Sequence, residues 1–255
     1  MRAPKPAKYR RSSGSNVPAP RLPALGAIVS VVPLLLAAPA AAQWSGSVSV
    51  DSDYRVSGVS LSSGKPDLSL SLSYDHESGL YGGLSVIGAE GIHGGTRVLG
   101  YVEYAGYATR LDSDNTIDFG VSNINAVEQN NRTYSIEYTQ IYAGIIRDDF
   151  TARVYYSPNF IGEGFNVVYI DLGKTVKIAQ HWRLFGHAGL LTPFGGARGP
   201  DSSRYEHFDF RAGVAAEIKG AELQLAWTAT RPKLDYPVGH RQAGDALELG
   251  AAIFF

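Results

Sequence analysis

The chain has no cysteine and only one methionine in 255 residues, which excludes a disulfide framework, a cysteine metal site and a thiol nucleophile together. Charge is also scarce: Asp, Glu, Lys and Arg make up 18% of the residues, beside 29 Gly and 15 Tyr. That balance is foreign to a soluble globular domain and suits a sheet that faces a membrane. Beyond residue 42 no apolar run approaches the roughly 20 residues of a membrane-spanning helix. His76, His93, His181, His187, His207 and His240 show no i,i+4 pairing, so no metal site is expected. Gly173-Lys174-Thr175 ends like a phosphate-binding loop, but Val168 stands where that loop needs glycine. No cofactor is implied.

What the chain does have begins with its leader. Arg2, Lys5, Lys8, Arg10, Arg11 and Arg21 are followed by an apolar run over 22–36 and by Ala37, Ala38, Ala40, Ala41 and Ala42. A basic start, a short apolar stretch and small residues at the end are the pattern of a secretory signal, with cleavage expected after Ala42. Pro33 and Pro39 break the run, against a membrane anchor. Two units follow: a signal peptide over 1–42 and one domain over 43–255. Without the leader, 17 basic residues face 24 acidic ones, and the net charge falls from −1 to −7. A nucleic-acid partner is not expected.

The remainder alternates apolar and polar residues with period two. Over 67–74, Leu68, Leu70, Leu72 and Tyr74 share one face while Asp67, Ser69, Ser71 and Ser73 share the other, because successive strand side chains point to opposite sides. Val48, Val50, Tyr54 and Val56 oppose Ser49, Asp51, Asp53 and Arg55 in what reads as one strand. About twelve segments of this kind start near residues 46, 67, 80, 97, 116, 135, 150, 166, 182, 207, 221 and 246. Short gaps (77–79, 110–115, 146–149, 177–181, 219–220) alternate with longer ones (88–96, 123–134, 158–165, 191–206, 231–245). An even strand count and strict short–long alternation predict an all-β fold, a transmembrane antiparallel up-and-down β-barrel with both termini in the periplasm. The location expected is the outer membrane of a Gram-negative bacterium, with outer-membrane lipid around the barrel. Trp44, Tyr104, Tyr138, Tyr142, Trp182 and Phe255 are placed on or beside the outward face as interface girdles. Asn131-Arg132-Thr133 marks a surface loop.

Several strings resemble a proteobacterial outer-membrane family, the TorF-type porins, also called the Gcw_chp group. They are Asp53-Tyr54-Arg55 with Gly58 and Ser60; Tyr74, His76, Ser78-Gly79, Tyr81 and Gly83; Glu103-Tyr104 with Gly106-Tyr107; Tyr138-Thr139-Gln140, Tyr142 and Gly144; Tyr156-Ser157; and Tyr169, Asp171 and Gly173. The third strand, Leu84-Ser85-Val86, lacks the expected Trp, and Gln140 stands where an acid is commoner. The resemblance implies an outer-membrane barrel with a pore role and no established substrate. The terminal Phe255 on an amphipathic last strand resembles the signal read by the barrel-assembly machinery.

Turning the polar face inward lines the lumen with Asp51, Asp53, Asp75, Glu103, Asp118, Glu137, Asp171, Asp209, Glu217, Glu222 and Glu248, together with Arg55, Arg97, Arg153, Arg183 and Arg211. Carboxylates outnumber arginines, and a water-filled passage so lined favours cations. The expectation is a narrow, mildly cation-preferring diffusion channel for small hydrophilic solutes. Two alternatives stay open. Paired Arg and Asp side chains would instead make a closed structural or ligand-binding barrel, since twelve strands lie between filled and open sizes. An enzyme is not expected; a barrel hydrolase would need a Ser and a carboxylate within hydrogen-bond reach of inward-facing His187. No oligomeric interface is legible.

Overall fold

A computed structural model describes residues 43–90, 95–111, 114–127, 135–195, 202–232 and 244–255. The leader over 1–42, the Asn131-Arg132-Thr133 string, His93 and His240 lie outside them. In chain order the strands are β1 (Gln43–Asp51), β2 (Arg55–Val56), β3 (Val59–Ser60), β4 (Asp67–Asp75), β5 (Leu80–Glu90), β6 (Thr96–Arg110), β7 (Asn115–Val127), β8 (Ser135–Arg147), β9 (Phe150–Ser157), β10 (Asn166–Ala179), β11 (Trp182–Phe194), β12 (His207–Ile218), β13 (Ala221–Arg231) and β14 (Ala246–Phe254). β1 and β4 through β14 close into a twelve-stranded antiparallel barrel, each strand paired with its chain neighbours and β1 with both β4 and β14. Backbone bonds between Gly46 and Phe255, at 2.8 and 3.0 Å, finish the seam. Among the described residues no helix is long and apolar enough to cross a membrane.

The alternation seen in the sequence sets the two faces of the wall. Leu70 lies between Val48 and Val86 across the β1–β4–β5 ladder, and Trp227 lies between Ala212 and Leu247 across β12–β14. These side chains are exposed, as are Leu68, Leu72, Phe208, Phe210, Leu223, Leu225 and Leu249. An apolar surface that runs on in this way is not left to water. It reads as a lipid-facing belt on strands that closure pairs with a neighbour on each side. At one end the connections are tight; Lys219 and Gly220, both with positive φ, form the two-residue turn that matches the twist of a hairpin. The other end carries the long connections.

Two features differ from the expectation drawn from the sequence. The first strand ends at Asp51 rather than continuing through Val56, and β2 and β3 form a separate two-stranded sheet inside the barrel. On β6 and β8 the faces are the reverse of those expected. Tyr104 and Tyr142 are buried and Tyr138 packs beside Phe160 in the interior, whereas Glu103 and Glu137 are exposed on the outer wall. The cause is steric and polar together. An inward phenol needs room and finds it over glycine: a Cβ on Gly83 would collide with the Tyr104 ring, and one on Gly120 with that of Tyr142. Phenol hydroxyls also find polar partners inside, with Tyr81 and Tyr142 hydrogen-bonded to each other at 2.6 Å. Tyr81, Tyr104, Tyr138 and Tyr142 therefore behave as lumen residues.

Candidate functional site

The lumen is divided by the segment that follows β1. Asp53 starts a compact knot: its Oδ1 accepts from Ser60, from Ser62 Oγ at 2.9 Å and from the Gly64 amide at 3.1 Å, and its Oδ2 accepts from Arg55 Nε at 2.6 Å. The Tyr54 amide donates to Ser62 Oγ at 2.9 Å. Ser57 and Gly58, at φ 46° and 74°, make the turn between β2 and β3, the conformation that two-residue hairpins prefer. At Gly58 a Cβ would stand 2.5 Å from Asp209 Cβ and Thr230 Oγ1, so glycine is required for space as well as for φ.

Both ends of this hairpin touch wall. At its tip, Thr230 Oγ1 donates to the Gly58 carbonyl at 2.8 Å, and His207 Nε2 lies 2.9 Å from the Ser57 carbonyl; Thr230 and His207 are fully buried on β13 and β12. On the far side Tyr54, Val56 and Leu61 pack on Ile87, Ala89, Leu99, Val102 and Ile124 of β5–β7. Burial pushes the Tyr54 phenol above its ordinary range, so it serves as a neutral hydrogen-bonding ring. The β9–β10 connection adds Phe160 and Phe165, which cluster with Tyr155, Tyr169, Leu191 and Tyr205. A void of about 70 Å³ remains between hairpin and wall, bordered by Ser57, Ser122, Tyr138, Gln140, Tyr155 and Asp171. Another of about 30 Å³ lies against Asp51, His187, Arg211 and Glu248.

Charges on the wall are organised into pairs. Arg55 Nε lies 3.1 Å from Glu248 Oε1, whose second oxygen takes Arg211 Nε at 3.0 Å. From Arg211 the chain continues through Gln224 at 3.3 Å to Glu222, which is ion-paired with Arg183. Opposite, Arg153 Nη2 meets Asp118 at 3.0 Å. His187 sits between Asp209 at 2.8 Å and Asp171 at 3.3 Å. Asp51 and Asp67 are different: they face one another across β1 and β4, and neither has an ion-pair partner among the described residues. Asp67 Oδ2 is buried without a hydrogen bond.

Toward the short-turn end the lumen wall carries serines on neighbouring strands. They are Ser45, Ser47 and Ser49 of β1 and Ser69, Ser71 and Ser73 of β4, and are partly solvent-accessible. They pair across strands, Ser45 with Ser73 at 2.7 Å and Ser71 with Ser85 at 2.8 Å. Outside that rim, Lys174 hydrogen-bonds Asp149 and holds its carboxyl below the usual range.

Of the residues picked out from the sequence, Asp51, Asp75, Arg153, Asp171, Arg183, Asp209 and Arg211 lie on inward positions of the wall. Asp53 and Arg55 reach the lumen on the hairpin instead. Glu103 and Glu137 lie outside it. Sequence reasoning missed Thr230, His207 and Glu248 as partners of the hairpin; the Ser57-Gly58 turn signal between Val56 and Val59 was the available clue. His187 does have carboxylates at hand, yet among the described residues the hydroxyl that reaches it is the Tyr169 phenol, 3.2 Å from Nε2. No group of described residues is arranged to hold a metal ion.

The fold is similar to that of the NanC porin, with a TM-score of 0.56 at 12% identity over 83% of this chain and 99% of that one. It is also similar to the COG4313 outer membrane channel from Pseudomonas putida F1, with a TM-score of 0.50 at 13% identity over 86% and 97%. At such identities the likeness speaks for the fold. No curated protein matches the chain. One family model, described as a bacterial protein of unknown function (Gcw_chp), matches residues 37–248.

Proposed function

We infer the role of this chain, which belongs to the Gcw_chp family of bacterial proteins, from its lumen: it is an outer-membrane porin, a narrow diffusion channel for small hydrophilic solutes. The observation that carries this reading is the row of partly solvent-accessible serines on the inner face of β1 and β4, in a barrel whose outside is apolar. A barrel built only for support gains nothing from an interior wall of hydroxyls open to water; packed side chains would stabilise it better. Export by the leader over 1–42 and assembly through Phe255, exposed at the end of β14, belong to the same reading, which puts the short turns in the periplasm. The resemblance to TorF-type porins implies the same role.

A mild preference for cations follows from Asp51 and Asp67. Most lumen carboxylates face an arginine or histidine that cancels their field, so the unpaired acids set the sign that a permeant ion meets. The paired charges and the inward hairpin favour the competing reading, a closed structural barrel. Recording from a planar bilayer under a KCl gradient separates them. Discrete current steps with a reversal potential toward cations are expected. A folded, heat-modifiable barrel that stays silent, both complete and with its hairpin removed, would sink the pore.

A further inference from the structure

We propose that the β2–β3 hairpin is the gate of this pore, latched shut at its tip and able to leave the lumen as a unit. The inference rests on the pore reading above and concerns how that pore is regulated.

Position comes first. Around the barrel β12 and β13 lie opposite β5–β7, and the hairpin touches both sides, by Ser57 and Gly58 on one and by Tyr54, Val56 and Leu61 on the other. It therefore bridges the lumen above the inner serines of β1 and β4. A solute that passes must move it.

Mobility follows from how it is joined. β2 and β3 pair only with each other, so displacement breaks no rung of the barrel ladder. Internally the Asp53 knot ties Arg55, Ser60, Ser62 and Gly64 together, and these bonds travel with the hairpin. The polar attachments to the wall are side-chain and carbonyl bonds at scattered points: Thr230 to the Gly58 carbonyl, His207 to the Ser57 carbonyl, the Ser57 hydroxyl to the Tyr169 phenol, Arg55 to Glu248 and to the Gly244 carbonyl at 3.4 Å, and Ser52 to the backbone of Leu249. Voids of about 70 and 30 Å³ flank it.

The charge arrangement supports two states. Breaking a buried ion pair strands a charge and costs several kcal/mol. Here nothing is stranded: when Arg55 withdraws from Glu248 it keeps Asp53 at 2.6 Å, and Glu248 keeps Arg211 at 3.0 Å. Both partners have a second counter-ion already in place. Release then costs the carbonyl hydrogen bonds at Ser57, Gly58 and Gly244, the bond between Ser57 and the Tyr169 phenol, and the apolar contact of Tyr54, Val56 and Leu61, and exposure of the lumen to water repays the carbonyls.

The test is electrical and chemical together. Asp51 and Asp67 are paired directly across β1 and β4, so a short glycine turn can replace 53–65 without disturbing the wall. Single-channel recording of this variant beside the complete chain should show steps several-fold larger, or open times several-fold longer. Equal conductance and open time would overturn the gate and leave the pore intact; silence from both proteins would overturn the pore, and the gate with it. The chain has no cysteine of its own, so Val59→Cys, at a position that is 4% exposed, provides a readout that keeps the hairpin. A membrane-impermeant thiol reagent should modify it during conduction, several-fold faster when Thr230→Val removes the latch. A conducting pore in which Val59→Cys never reacts would show that the hairpin stays docked.

Discussion

Asp51 and Asp67 stand directly opposite each other on neighbouring strands, both turned into the lumen, and one oxygen of Asp67 is buried without a hydrogen bond. Like charges at opposed positions of an antiparallel pair repel, with an effect of about 0.2–1 kcal/mol. Stability is thus given up at a point where the wall meets the foot of the hairpin. Asp67→Asn should raise the resistance of the folded barrel to urea by an amount in that range. The same variant should move the KCl-gradient reversal potential toward zero. A gain in stability without any change in reversal potential would divorce this pair from ion preference.

Arg153 and Asp118 make the opposite arrangement. Their side chains are 7% and 0% exposed, and Tyr81 adds a hydroxyl to Asp118 at 3.3 Å. Arg153→Ala leaves the carboxylate without its counter-charge, and the expected loss is about 3–5 kcal/mol. Adding Asp118→Asn should recover much of it, because the stranded charge then disappears. Equilibrium unfolding in urea, followed by the shift in gel mobility on heating, checks both. If the double variant is no better than Arg153→Ala alone, lost packing rather than charge explains the cost.

Gly106 supports the ring of Tyr81 much as Gly83 supports that of Tyr104; any Cβ there would run into the ring and into the Phe119 carbonyl, 2.8 Å away. Overpacking of this kind costs about 1–3 kcal/mol. Gly106→Ala should therefore lower the urea midpoint of the refolded barrel, while Gly95→Ala, at a residue with no heavy atom near its Cβ position, carries only the strain of its positive φ. A neutral Gly106→Ala would mean that Tyr81 points elsewhere.

These relationships also show what the sequence made legible. The barrel was, because Leu68, Leu70 and Leu72 against Ser69, Ser71 and Ser73 give period two without ambiguity, and the short–long alternation of gaps fixes the up-and-down order. Asp51, Arg153, Asp209 and Arg211 could be assigned inward on the same pattern. Two things could not be read. Tyrosine is both apolar and polar, so in Tyr101-Val102-Glu103-Tyr104 the pattern does not say which parity faces water. The ladder settles it, through cross-strand glycines and a register shift near Ile87 and Gly88 that no local rule announces. The hairpin was hidden for another reason: Tyr54 and Val56 continue the phase of Val48 and Val50, so an inward turn looks like more of the same strand. Only the contacts of Ser57 and Gly58 with His207 and Thr230, some 150 and 172 positions away, reveal it.

Glu103 offers the sharpest test of the corrected faces. It is the eighth of fifteen residues of β6, exposed on the outer wall between Leu84 and Asn123. With Thr139 next to Asn123, to which it is bonded at 3.0 Å, it forms a polar strip on an otherwise apolar belt. A carboxylate on the lipid face of a barrel is tolerated more readily than a cation, for which the midplane cost is about 2–4 kcal/mol. Glu103→Leu should be neutral or stabilising in urea unfolding from lipid vesicles, and Glu103→Lys destabilising toward that range. Neither should move the reversal potential, since the side chain does not meet the permeant ion. A Glu103→Leu channel that loses cation preference would return this residue to the lumen and, through the shared ladder, would turn Tyr104 and Tyr142 outward with it.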